Sequence, residues 1–162
     1  MSVSVNYVSG LTVTETLTDQ YLSSSDSTLT FNGLNTDTTL TSITSVPVTM
    51  HASGRKTMSG GAGTIDLRAL PSTNAVAIDG NGLKVQAFKF RNLSTNANNI
   101  TITAGASNGY LILGTSGSII LYPGCEVQCY LKDQAADIDA SHKTIDIAGT
   151  ASQILEYEIV MG

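Results

Sequence analysis

His51 and His142 are the only two histidines in this sequence, and no other side chain ordinarily exchanges a proton near neutral pH. Acid–base or nucleophilic catalysis would need one of them held against a nucleophile. Ser141 directly precedes His142, but adjacent residues on a strand or loop point apart, so this spacing makes no relay. The nearest approach to a hydrolase elbow is Gly114-Thr115-Ser116-Gly117, which has neither the G-x-S-x-G spacing nor a following helix. The sequence therefore reads as that of a protein that is not an enzyme, with no catalytic residue assigned.

The remaining candidates are binding motifs, and each has a plainer reading. Asp133, Asp137 and Asp139 form a short acidic run whose carboxylates and loop carbonyls suit a hard cation such as calcium. The run lacks the D-x-D-x-D-G spacing, so a solvated surface loop explains it as well. Gly60-Gly61-Ala62-Gly63 resembles a phosphate cradle in composition, yet no helix pattern follows and no Lys-Ser or Lys-Thr pair closes it. Cys125 and Cys129 stand four apart in Cys-Glu-Val-Gln-Cys; on a strand that places them about 13 Å apart, beyond disulfide reach. The reading preferred for them is two small apolar residues facing the core beside Val127 and Leu131, reduced and unreactive, against a reactive or metal-binding role. Asn92-Leu-Ser94 and Asn99-Ile-Thr101 match the glycosylation triplet. No cofactor and no metal is expected.

The elements that would position these residues are strands. Period-two alternation runs from end to end, and helical periodicity is absent. Leu11, Val13 and Leu17 alternate with threonines; Leu29 and Phe31 lead into an Asn32-Gly33 turn; Val46, Val48, Met50 and Ala52 alternate around Pro47. That proline puts its strand at an edge, or starts the strand nearby. Ile65 and Leu67 follow, then Val76 and Ile78, then Asp79-Gly80-Asn81-Gly82 leading into 83–91, which reads as a hairpin. Val85 and Ala87 fall on one face of that arm and Phe88 and Phe90 on the other, which implies a β-bulge near Ala87 or a strand buried on both sides. Further apolar runs lie at Ile100 and Ile102, 110–113, 119–122, 125–131, Ile145 and Ile147, and Leu155 to Met161.

Composition agrees. Charged residues are 13% and apolar residues 41% of 162 positions, and Thr with Ser supply about a quarter, a strand-former's usage. A net charge of −5, with eight Lys plus Arg all between Arg55 and Lys143, leaves no basic stripe for nucleic acid. No leader-like or membrane-spanning apolar run is evident, so the expected setting is cytoplasmic synthesis with no membrane partner. The fold class is all-β: an antiparallel sandwich of jelly-roll type. Residues 1–60, rich in Thr and Ser, are expected to be a peripheral arm or outer strands, and 61–162 the sandwich core. The expected buried set is Val85, Phe88, Phe90, Ile100, Ile102, Ile112, Val127, Cys129, Ile145, Ile147 and Tyr157.

From about Gly60 onward the sequence resembles the small β-sandwich virion structural proteins of tailed phages. The likeness rests on Thr64-Ile-Asp-Leu-Arg-Ala-Leu-Pro71, Gly82-Leu-Lys-Val-Gln86, Asn92-Leu-Ser-Thr-Asn-Ala97, Ile100-Thr-Ile102, Asn108-Gly-Tyr110, Leu121-Tyr-Pro-Gly124 and Lys143-Thr-Ile-Asp-Ile-Ala-Gly149. These are turn and core residues, and they carry fold more than activity. The resemblance implies a capsid-decoration, cement or capsid-associated protein located in the virion, with the major capsid protein or another virion protein as partner. It also implies a homo-oligomer, for which a trimer is expected because a closed ring suits a three-fold point of a shell and protects sheet edges. The alternative is a receptor- or glycan-binding sandwich module of a phage tail or cell-surface fibre, although the chain has no Trp to serve as a sugar platform.

Overall fold

The computed structural model describes residues 2–17, 27–71 and 76–162. They form twelve strands: β1 Val5–Ser9, β2 Val13–Leu17, β3 Ser27–Phe31, β4 Thr36–Leu40, β5 Met50–Thr57, β6 Ala62–Asp66, β7 Val85–Asn92, β8 Ile100–Ala104, β9 Ser118–Leu121, β10 Glu126–Tyr130, β11 Thr144–Ala148 and β12 Ile154–Met161. Two compact units result, Val5–Thr39 on the one hand and Leu40–Gly162 with the residues before Val5 on the other. The larger unit holds two antiparallel four-stranded sheets packed together as a β-sandwich, in the orders β10-β7-β12-β5 and β6-β11-β8-β9. The smaller contains the pairs β1-β4 and β2-β3.

Strand pairing in the sandwich is nested. β5 pairs with β12, β6 with β11, β7 with β10 and β8 with β9, and the sheets are completed by β12 against β7 and β11 against β8. The chain runs as one long antiparallel ribbon, closed at the β8–β9 end, whose successive segments fall alternately in the two sheets. Between the sheets lie Ile65, Leu67, Phe88, Phe90, Ile100, Ile102, Ile145, Ile147, Leu155 and Ile159, all buried. Phe88 and Phe90 pack with ring centroids 5.0 Å apart. Burial of each such side chain contributes about 1.5–3 kcal/mol, which makes this layer the main stabilising term.

The register of β7 explains its two-faced pattern. Val160 pairs with Ala87 and Met161 with Val85, so Gln86 is an extra residue and the ladder shifts there. The bulge returns Val85 to the core side shared by Phe88 and Phe90, and both expected features are present, the bulge at Gln86 and two-sided burial over 85–88 only. Gln86 is itself buried; its amide accepts from the Asp133 N–H at 2.9 Å and donates to the Gly162 carbonyl at 3.2 Å. Of the expected core residues Val127 and Cys129 are only half-buried, because β10 is an edge strand bonded to β7 alone.

Other expectations need correction. Residues 83–91 form no hairpin with Val76 and Ile78: Ile78 makes a single bridge to Leu70, and β7 pairs instead with the distant β10 and β12. The Asp-Gly-Asn-Gly segment does turn, with the Leu83 N–H donating to the Gly80 carbonyl at 2.9 Å, but a turn signal cannot choose the partner strand. Residues 110–113 form turns rather than a strand; Tyr110 is buried as an anchor, accepting from the Val85 N–H at 3.1 Å and donating to the Ala136 carbonyl at 2.7 Å. Burial pushes its phenol up to about 12. The sandwich also begins before residue 60: β5 pairs along its whole length with β12, and the unit holding both sheets takes in everything from Leu40 onward. Pro47 precedes this edge strand, as its missing donor requires.

Candidate functional site

Alternation puts Leu155, Tyr157 and Ile159 of β12 and Phe88 and Phe90 of β7 inward, so Glu156, Glu158, Lys89 and Arg91 face outward. The registers align these outward residues in rows across the sheet. One row reads Glu126, Arg91, Glu156, Arg55 from β10 to β5; the next reads Gln128, Lys89, Glu158, Ser53. Glu156 is gripped from both sides: the Arg55 Nε donates to Oε1 at 2.8 Å, and Arg91 donates to Oε2 through Nε at 2.9 Å and through Nη2. Those bonds, Arg91 first and Arg55 second, hold the Glu156 carboxyl below the usual glutamate range. Lys89 Nζ reaches diagonally to Glu126 Oε1 at 2.9 Å.

Between these side chains lies a shallow depression of about 390 Å³ lined by Ser53, Arg55, Lys89, Arg91, Glu156 and Glu158, with Gly54 and Tyr157. Three cations and three carboxylates alternate on this face, so it offers paired charge for contact.

The residues singled out from sequence lie elsewhere and are not brought together. His51 is exposed on β5. His142 is exposed and contacts Asp139 through Nδ1 at 3.1 Å. The Ser141 N–H donates to Asp139 Oδ1 at 2.6 Å, and this turn-capping bond together with the histidine holds the Asp139 carboxyl down. Lys84 lies 3.6 Å from Asp133 and 4.0 Å from Asp137. The acidic run is thus divided among separate partners, and among the described residues no group of three or more His, Cys, Asp or Glu is arranged to hold a metal ion. Gly60 and Gly61, both with positive φ, make the tight turn from β5 to β6, and a strand rather than a helix follows.

Both cysteines are free, but only one keeps its expected place. Cys129 packs against the core and burial pushes its thiol up, whereas Cys125 is exposed. It belongs to the Pro123-Gly124 turn, where its N–H donates to the Tyr122 carbonyl, and β10 begins only at Glu126. The inward-facing period therefore never reaches residue 125. Of the two glycosylation-like asparagines Asn99 is exposed and Asn92 fully buried, its Nδ2 donating to the carbonyls of Leu121 and Asn98 at 2.8 and 3.1 Å.

The outer charge ladder was absent from the sequence reading. A signal exists: Lys89-Phe90-Arg91 and Glu156-Tyr157-Glu158 alternate charge with aromatic at period two and carry opposite signs. The register that makes them neighbours is not written in either segment. No family model, no curated protein and no solved structure matches this chain.

Proposed function

We propose that this chain is a non-catalytic virion structural protein, a capsid-decoration or cement subunit made in the host cytoplasm, with a β-sandwich body and an attachment arm at Val5–Thr39. The observation that carries the reading is the state of that arm. β2 and β3 pair Val13 with Phe31 and Glu15 with Leu29, which places Val13, Leu29 and Phe31 on one face together with the carboxylate of Glu15, and Thr14, Thr16, Thr28 and Thr30 on the other. Val13, Leu29 and Phe31 are exposed, and none of the described residues from 2 to 39 is buried. A two-stranded ribbon is marginal in water by itself. The apolar part of this face, Val13, Leu29 and Phe31 around Glu15, is stabilised by being covered, and a capsid surface is the cover proposed.

The nested strand order supports the jelly-roll reading of the body, a form common among virion proteins. The resemblance of residues 60–162 to phage virion proteins supports the same class. A glycan-reading role has less support, since the aromatic residue lining the depression, Tyr157, is buried in the core cluster and offers no exposed platform.

Co-sedimentation with purified particles tests the proposal. The full chain is expected to pellet with them, and a chain lacking residues 1–39 is expected to keep its β-type circular dichroism and lose the attachment. Removing 1–60 is expected to unfold the body, because it takes away β5. A full-length protein that stays free, or a 1–39 deletion that binds with undiminished affinity, would overturn the reading.

A further inference from the structure

We infer that the outer face of the β10-β7-β12-β5 sheet is a two-fold interface between two copies of this chain. In an isologous interface residue i of one copy meets j of the other while j meets i, so a charged face serves only if every charge is exchanged with its opposite. Take an axis in the plane of contact, parallel to the strands and between β7 and β12. It reverses the order of strands, so Glu126 meets the second copy's Arg55 and Arg91 meets its Glu156. In the adjacent row Lys89 meets Glu158, and Gln128 meets Ser53.

All six charges of the two rows are matched, with no like-charge contact. Lys89 pairs within its own chain with Glu126, and no ion pair of Glu158 occurs among the described residues, so the second copy's lysine gives Glu158 a partner.

The outer face of the other sheet has no such order. Its central row reads Thr64, Asp146, Thr103, Ser118, a single charge that no symmetry operation can match. Charge complementarity also selects the occupant. A face with three cations and three carboxylates attracts neither a uniformly basic nor a uniformly acidic partner, but it is its own complement. The depression over the seam leaves room for bridging water. Exposed ion pairs are weak and screened by salt, so the association is weak, reversible and ionic-strength dependent.

Arg55 and Glu126 provide the test, because they sit on the two edge strands. Three strand spacings, about 14 Å, separate them within one chain, so they cannot pair there. Sedimentation equilibrium of the full chain is expected to show a two-chain mass at about 20 mM salt that dissociates toward one chain at about 500 mM. Arg55→Glu and Glu126→Arg should each weaken dimerisation about a hundredfold, since the symmetry counts each new like-charge contact twice. Both side chains are largely exposed, at 68% and 47%, so neither reversal touches the core.

An equimolar mixture of the two variants should recover the affinity of the wild-type dimer. In the mixed pair the glutamate introduced at position 55 of one chain faces the arginine introduced at position 126 of the other, and the unaltered Glu126 and Arg55 face each other at the second, symmetry-related contact. If either variant fails to fold by circular dichroism, Lys89→Glu and Glu158→Lys run the same mixing test. A one-chain mass at every concentration, a three-chain mass, or a mixture that does not recover would overturn the inference.

Discussion

Truncating Asn92 to alanine isolates the part of the fold on which the loop end of the sandwich depends. Its side chain is fully buried and makes three hydrogen bonds: Nδ2 donates to Leu121 O at 2.8 Å and Asn98 O at 3.1 Å, and Oδ1 accepts from Asn96 Nδ2 at 2.6 Å. Asn96 in turn bonds both the carbonyl and the N–H of Ile154, where β12 begins. At about 1 kcal/mol per bond, with buried partners left unpaired, the loss is about 3 kcal/mol. For a chain of this size that lowers Tm by about 6–12 °C. With a urea m-value of about 2 kcal/mol/M it lowers the unfolding midpoint by about 1.5 M at unchanged slope.

Asn98→Ala is the control, since its exposed amide bonds only Thr150 Oγ1, at 2.9 Å, and should cost about 0.5 kcal/mol or less. Asn92→Asp should be worse than Asn92→Ala at neutral pH, because a carboxylate oxygen would face the Leu121 or Asn98 carbonyl without a proton to share. A fall below about 1 kcal/mol for Asn92→Ala, or equal effects at Asn92 and Asn98, would refute the claim that this network is buried and cooperative.

Thiol labelling of the native protein should be biphasic, with Cys125 reacting at once and Cys129 only slowly; in Cys125→Ser the fast phase should vanish, and a fast phase that survives would contradict the placement of the two side chains. Gly54→Ala should destabilise by about 1–3 kcal/mol in urea titration. The added Cβ would lie 2.7 Å from Tyr157 Oη and 2.9 Å from Cζ, and Tyr157→Phe should return part of the loss. The Glu156 carboxyl has a folded-state pKa below its unfolded value, so its contribution is present above the ordinary glutamate range, ~4.3, and is lost as pH falls through the folded value. Glu156→Gln should therefore flatten the acid limb of the stability–pH curve, and an unchanged limb would show that the Arg55 and Arg91 bonds do not persist in solution.

What the sequence made legible was local. Period-two alternation placed Ile100, Ile102, Ile145 and Ile147 in the core, and the crossed faces of Val85 and Phe88 implied a bulge near Ala87 or a strand buried on both sides; the bulge falls one residue away, at Gln86. The failures were of partner choice. The strong turn at 79–82 suggested a hairpin because loop chemistry reports only that the chain reverses, whereas pairing energy is set by the whole sheet, and β7 is central between β10 and β12. The charge ladder was illegible for the same reason. Arg55, Arg91, Glu126 and Glu156 come from four strands, and only the nested topology makes them one row. Cys125 failed differently, since an alternation extrapolated one step too far ran into the turn at Pro123 and Gly124.

The two proposed contacts differ in kind, and that difference separates them by salt. No Lys or Arg precedes Arg55, and Glu15, Asp19, Asp26 and Asp37 give the first 54 residues a charge of −4 out of the total of −5. The remaining chain carries eight cations against nine carboxylates, and the sheet face is balanced. Self-association through that face depends on exposed ion pairs and weakens as ionic strength rises. Covering Val13, Leu29 and Phe31 depends on apolar burial, which salt does not screen and sulfate strengthens. Raising sodium sulfate should therefore dissociate the free protein into single chains while its attachment to particles holds or tightens. Loss of both together would place them on one surface, and the division of labour between arm and sheet face would fall.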